Sequence, residues 1–336
     1  MPITADVPSI SVADNDASKA DRFANRGHGP NVLPLTSRPA PPISQQFLRA
    51  TIAKFCRVYP LLSGCTQIAN FSLLRHLTDQ EEFVVSKLRD GSAIHLQLND
   101  YGGRSMYYFG DYDPKITKIL KKLLRPGDNV IDIGANFGLI SLMAAKLVGP
   151  RGQVHAFEPQ VGLASLIEAA AADNDYRHLL VHPIALSDAD GEAEMFLSPG
   201  VTGAASLVRD DLAGVQSESV RVAAAGAYFD SLGLAKTRLV KIDVEGHEYT
   251  VLKAAEPWLS KHRPDAILFE TQDYDTPLAD RPVLRLLEPL GYEFYPITKS
   301  RLRFNLLPSE SLSPWARDHA HDVLAVQPWR CSEILE

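Results

Sequence analysis

Cysteine is scarce in this chain, with only Cys56, Cys65 and Cys331 among 336 residues. Their number is odd, they are far apart, and no CxxC pair occurs. A disulfide framework is therefore not expected, and a reducing cytoplasm fits best. No His/Cys cluster accompanies Cys56 and Cys65, which argues against a zinc site. Basic charge is not in excess either: 34 Lys+Arg stand against 41 Asp+Glu, a formal net charge of -7. Nucleic-acid binders ordinarily carry a basic surplus or stripe, so no nucleic-acid partner is expected. No run of about 18 apolar residues occurs, so no membrane span is expected. The opening stretch, MPITADVPSISVADNDASKAD, has early acids and no apolar segment of the kind a secretory signal needs. Internal repeats are lacking too, as is the GxxxxGK[ST] of a phosphate-binding loop.

What is present suffices for a core, since 45% of the residues are hydrophobic. Residues 1–43 are rich in Pro, Ser, Asp and Asn and lack apolar periodicity, which reads as a disordered or loosely docked arm. Residues 44–110 read as an extension. Ser44 can cap a helix in which Phe47, Leu48, Ile52, Phe55, Val58 and Tyr59 recur at helical spacing. The short runs FVVSKL, AIHLQL and SMYYF are separated by the turn signals DG and DYGG, and predict a small β-meander. Over residues 111–330 strands and helices alternate: NVIDIG, GLISLMAAKLV, VHAFE, ASLIEAAAAD, LLVHPIAL, RLVKIDVEG, TVLKAAEPWLSK and AILFE. GEAEMFLS and SVRVAAA read as strands of an insertion, and YEFYPI and DVLAVQP as two late strands. Such alternation predicts an α/β fold with a mostly parallel, doubly wound sheet.

The segment Val130-Ile-Asp132-Ile-Gly134-Ala-Asn136-Phe-Gly138 follows a strand and opens a helix, where open α/β sheets bind ligands. A dinucleotide turn, GxGxxG, uses its second glycine to admit a pyrophosphate; here Asn136 occupies that place and crowds it. S-adenosylmethionine has no phosphate. Its ammonium suits Asp132 and the turn carbonyls. Glu158, at the end of the next strand, can accept both hydroxyls of a ribose.

A second group of acids closes a later strand: Lys241-Ile-Asp243-Val-Glu245-Gly246-His247-Glu248. Carboxylates and an imidazole at the ligand edge of a sheet are costly unless solvated, paired or used. Glu248 and His247 also read plainly as helix capping, since an acid suits a first helical turn. Glu270 ends the strand AILFE. No metal is expected. If one is used, Asp243 and Glu270 are the oxygen ligands for Mg²⁺; they can equally orient a substrate hydroxyl, and Glu270 can be merely structural.

At these residues the chain resembles the FkbM-type methyltransferases, a Rossmann-like class I branch that uses S-adenosylmethionine. The carriers are YYFGDYDPKIT, GDNVIDIGANFGLIS, VHAFEP, ALSDADG and KIDVEGHEYTVLKAA, within about residues 92–328. The resemblance implies that Gly110, Tyr112, Asp132, Gly134, Asn136, Gly138, Glu158 and Pro159 surround the cofactor. It puts Asp243 and Glu245 on the acceptor side. Asp113 stands where the family often has Glu. The expected reaction is O-methylation of a small-molecule hydroxyl, in a secondary metabolite, sugar or lipid. Asp243 is the first choice to orient the hydroxyl or take its proton, and His247 the second. The rivals are a nicotinamide-dependent oxidoreductase, which lacks its GxGxxG here, and a non-catalytic adenosylmethionine-binding protein, which has little use for the acids around Asp243. The acceptor pocket is expected between the meander, the 196–225 insertion and the 297–320 loop. VTGAASLVRDD in that insertion reads as a surface loop.

Overall fold

The computed structural model describes residues 42–59, 64–78, 83–198, 200–208, 216–271, 275–298 and 306–332. The expected arm lies outside them up to residue 41. Residues Ser44–Glu336 make one compact unit.

Helix α1 (Ile43–Cys56) is followed by short helices α2 (Cys65–Ala69) and α3 (Ser72–His76), then by the hairpin strands β1 (Phe83–Lys87) and β2 (Ala93–Gln97). The expected third strand of a meander is instead helix α4 (Tyr101–Phe109). Its turn-like opening, DYGG, is a helix start: the Asp100 side chain accepts a hydrogen bond from the Gly103 amide. Gly103 is required because a β-carbon there would lie 2.1 Å from the Gln97 carbonyl oxygen. Helical spacing then buries Met106 and Phe109, and Gly110 ends the helix in the left-handed conformation. Strand-like composition lost here to a cap at each end.

Helix α5 (Pro114–Leu123) leads into the core alternation: β3 (Asn129–Ile133), α6 (Leu139–Val148), β4 (Gln153–Phe157), α7 (Val161–Asp173) and β5 (Leu179–His182). The insertion follows, with β6 (Ala185–Ser187), β7 (Gly191–Leu197) and β8 (Gln216–Ala224) forming a separate three-stranded sheet. Then come α8 (Ala225–Ser231), β9 (Leu239–Ile242), α9 (Glu248–Ala254), α10 (Glu256–His262), β10 (Ala266–Glu270), α11 (Pro282–Leu287), β11 (Glu293–Ile297), α12 (Pro314–Asp318) and β12 (Asp322–Val326).

The central sheet has the order β11-β12-β10-β9-β3-β4-β5. Strands β10, β9, β3, β4 and β5 are parallel; β12 is antiparallel to both of its neighbours. Helices cover both faces, as the apolar strands require. Val130, Val154 and Leu239 face Leu142 and Ile167 on one side. Ile131, Val240 and Ile267 face Phe229, Leu252 and Trp258 on the other. This is the Rossmann-like class I methyltransferase fold. The chain order reverses between β3 and β9, and a ligand crevice opens at the carboxyl ends of such strands.

Among the described residues no helix is long and apolar enough to cross a membrane. All three cysteines are free.

Candidate active site

A cavity of about 480 Å³ lies at the switch point, walled by the carboxyl ends of β3, β4, β9 and β10, by α4 and by the β7–β8 connection. Its first wall is the turn after β3. Gly134 has φ 77°, and a β-carbon there would lie 1.9 Å from the Asp243 carbonyl oxygen. The two ligand-facing turns therefore touch backbone to backbone, and only glycine permits it.

Glu158 follows β4, lines the cavity and is almost fully buried. One carboxylate oxygen accepts the Asn136 amide at 2.7 Å, the other the Gln160 amide at 2.9 Å. Burial outweighs these donors and pushes its pKa up to about 7. Each oxygen keeps an unused lone pair, so two further donors would stabilise the anion. A ribose diol has that chemistry. Tyr112, Gly134, Asn136 and Pro159 line the same cavity.

Three residues assigned to the cofactor are elsewhere. Asp132 is fully buried, not at the crevice: its carboxylate accepts the Ser141 hydroxyl at 2.5 Å and lies 3.5 Å from the Lys241 ammonium. It is one residue short of the strand end, and strand alternation turns it toward α6. Gly138 lies against Ile167 of α7, so its role is close packing. Gly110 caps α4 and adjoins Arg89.

The second wall is acidic. Asp243, Glu245 and Glu270 each offer an oxygen within 4.8 Å of the others. Burial, and then the Asp243 and Glu245 carboxylates, push the Glu270 pKa up to about 9, with a hydrogen bond to Asp243 adding to the shift. Burial and its acidic neighbours thus favour the protonated form of Glu270, which is hydrogen-bonded to Asp243. Asp322 is the residue sequence reasoning missed. Because β12 runs against its neighbours, its first residue pairs with Glu270 and reaches the ligand edge. Burial, then Asp113 and Asp243, raise the Asp322 pKa to about 7. Asp113 caps α5 through the Lys115 amide and also faces the cavity.

Lys241, within β9, reaches the same acids. Its ammonium lies 3.5 Å from Asp243 and donates to the Gly134 carbonyl at 3.0 Å. Burial opposes its charge, but Asp243 and Asp132 together prevail and hold its pKa above the ordinary value. His247 lines the cavity with its Nε2 2.9 Å from the Ser187 hydroxyl, and burial lowers its pKa. Glu248 does structural work, accepting the Val244 amide of its own turn at 2.9 Å. VTGAASL is not a plain surface loop, because Val201–Ala205 and Leu207 line the cavity.

The Methyltransferase FkbM domain profile matches residues 132–294. The 31-O-demethyl-FK506 methyltransferase FkbM of Streptomyces tacrolimicus is 32% identical over 202 residues, covering 50% of this chain and 74% of that protein. The ribosomal RNA large subunit methyltransferase E of Nitratidesulfovibrio vulgaris is 37% identical over 76 residues, 23% of this chain and 35% of that protein. Among solved structures, methyltransferase FkbM from Methylobacillus flagellatus KT is 13% identical, covering 67% of this chain and 53% of that one at a TM-score of 0.36. Aeropyrum pernix fibrillarin, solved with bound S-adenosylmethionine, is 15% identical, covering 74% and 100% at 0.37. A glycine turn and an acidic turn at one switch point, both within the residues that the family profile matches, and a relative 32% identical over 74% of its own length lead to one assignment: this protein belongs to the FkbM methyltransferase family.

Proposed function

We propose that the protein is an S-adenosylmethionine-dependent O-methyltransferase acting on a hydroxyl of a small molecule. The observation that carries the cofactor half is Glu158, a buried carboxylate that lines the cavity and is held by two backbone amides, one on each oxygen. Adenosylmethionine, when bound, supplies a sulfonium methyl that is already a strong electrophile. The chain's own tasks are then alignment, exclusion of water and removal of one proton.

Asp243 lies on the far wall, where its carboxylate can orient the acceptor hydroxyl and take its proton as the oxygen–methyl bond forms and the sulfur–methyl bond breaks. Lys241 steadies that carboxylate from behind at 3.5 Å, and Glu270 donates to it from the side. His247, kept neutral by burial, is the second acceptor for the proton. Asp243, Glu245 and Glu270 are the oxygen set that a divalent cation would use, and the proposed transfer does not require one.

A small, non-anionic acceptor is supported by charge. Asp113, Asp243 and Glu245 line the cavity against two lysines, Lys115 and Lys241, and Glu158, Glu270 and Asp322 add three more carboxyl groups whose charge burial partly suppresses. A phosphodiester chain would be repelled by such walls. The 76-residue likeness to an RNA methyltransferase keeps RNA in the test. Labelled-methyl transfer should be measured on hydroxylated metabolites, sugars and lipids, on amines and on RNA. Label on a hydroxyl oxygen is the expected result. Label only on nitrogen or on RNA would overturn this reading.

A further inference from the structure

The connection between β7 and β8 reaches across the cavity as a strap, residues 200–208, and its fastenings are specific. The Tyr101 amide donates to the Gly200 carbonyl at 2.8 Å. The Thr202 amide donates to the Asp100 carboxylate at 2.7 Å, so the side chain that caps α4 also anchors the strap. The Thr202 hydroxyl donates to the Asn136 side-chain oxygen at 3.2 Å. Further along, the Ser206 hydroxyl donates to the Glu245 carbonyl at 2.7 Å.

The two partners on the sheet side are telling. Asn136 and Glu245 both have φ 52°, one in each ligand-facing turn. Both are held in a backbone conformation that non-glycine residues rarely adopt and that neighbours must enforce. Asn136 is also the residue whose amide holds Glu158. A continuous series of hydrogen bonds thus runs Asp100–Thr202–Asn136–Glu158. Between its anchors the strap carries small residues, Gly203, Ala204 and Ala205, which let it lie close over a ligand.

We propose that Thr202 is a positioning residue for the cofactor: its hydroxyl, tethered through the strap to Asp100, fixes Asn136 and through it the carboxylate that receives the ribose. The inference rests on the adenosylmethionine reading of the cavity. The strap also lines the cavity that the two ligand-facing turns share.

The test uses the full chain and three proteins: wild type, Thr202→Val and Thr202→Ser. Valine keeps the branched shape and loses the hydroxyl; serine keeps the hydroxyl. One lost hydrogen bond predicts a rise of about 3- to 10-fold in the Kd for S-adenosylhomocysteine in the valine variant. The KM for adenosylmethionine should rise with it, kcat should change little, and serine should restore binding. Equal affinity in wild type and the valine variant, or a serine variant as weak as valine, would overturn the proposal. Amide exchange on the wild-type protein gives a second reading that needs no variant: protection over 200–208 should increase on adding S-adenosylhomocysteine, and unchanged protection would overturn it. A wild-type protein that binds no S-adenosylhomocysteine overturns the cofactor reading, and this one with it; binding without an effect at Thr202 overturns this one alone.

Discussion

The two turns that face the cavity are neighbours in space and opposites in chemistry. Around Glu158 the chain brings donors to a carboxylate: two backbone amides fix both oxygens before any ligand arrives. Around Asp243 it brings further carboxyls, Glu245 and Glu270, with an oxygen of each within 4.8 Å of the others and Glu270 hydrogen-bonded to Asp243. The first arrangement is preorganised for a fixed set of hydrogen bonds, and such preorganisation serves recognition. The second crowds acids together, so that burial and the neighbouring carboxylates raise the Glu270 pKa, and groups perturbed in this way serve proton transfer. The contrast implies that damage to the first turn should appear in affinity and damage to the second in turnover.

The largest effect is expected where both turns fail together. Gly134→Ala forces a β-carbon against the Asp243 carbonyl and should cost roughly 3 kcal/mol or more of stability, read by thermal unfolding. An unchanged melting temperature would show that the turns do not constrain each other. Asp243→Asn should lower turnover by about a hundred- to ten-thousand-fold while S-adenosylhomocysteine affinity stays near wild type. A loss confined to affinity would reverse the two roles. Glu158→Ala should weaken S-adenosylhomocysteine binding by about 10- to 100-fold, the equivalent of losing hydrogen bonds to a charged group, with calorimetry as the measure. A pH series sharpens the same point. Burial raises the Glu158 pKa to about 7, and the anion is the better acceptor for two hydroxyls. Affinity should therefore fall as pH drops through 7 and level off above it. The smallest effect concerns metal. EDTA is expected to leave turnover intact; loss of activity that Mg²⁺ restores would turn the acidic wall into a metal centre.

Much of this site was legible because strand ends are legible. The runs NVIDIG, VHAFE and RLVKID announce where apolar alternation stops, and the residue just beyond each stop, Gly134, Glu158 or Asp243, lines the crevice. Asp132 misled because it lies inside its strand, where a period of two decides its direction and sends it to Ser141 and Lys241. Asp322 was invisible for a related reason. Only the antiparallel course of β12 brings its first residue to the ligand edge, and strand direction is a property of the sheet rather than of the segment. SMYYF has the aromatic content of a strand, yet its caps, Asp100 and Gly110, decide for a helix. The strap depends on contacts between residues 39 to 102 positions apart, such as Thr202 with Asn136, for which no local pattern exists.

The most direct measurement is a crystal structure of the protein with S-adenosylhomocysteine. The account predicts both ribose hydroxyls on Glu158 and the ligand's sulfur turned toward Asp243. A complex with the ribose away from Glu158, or with the ligand outside this cavity, would contradict it.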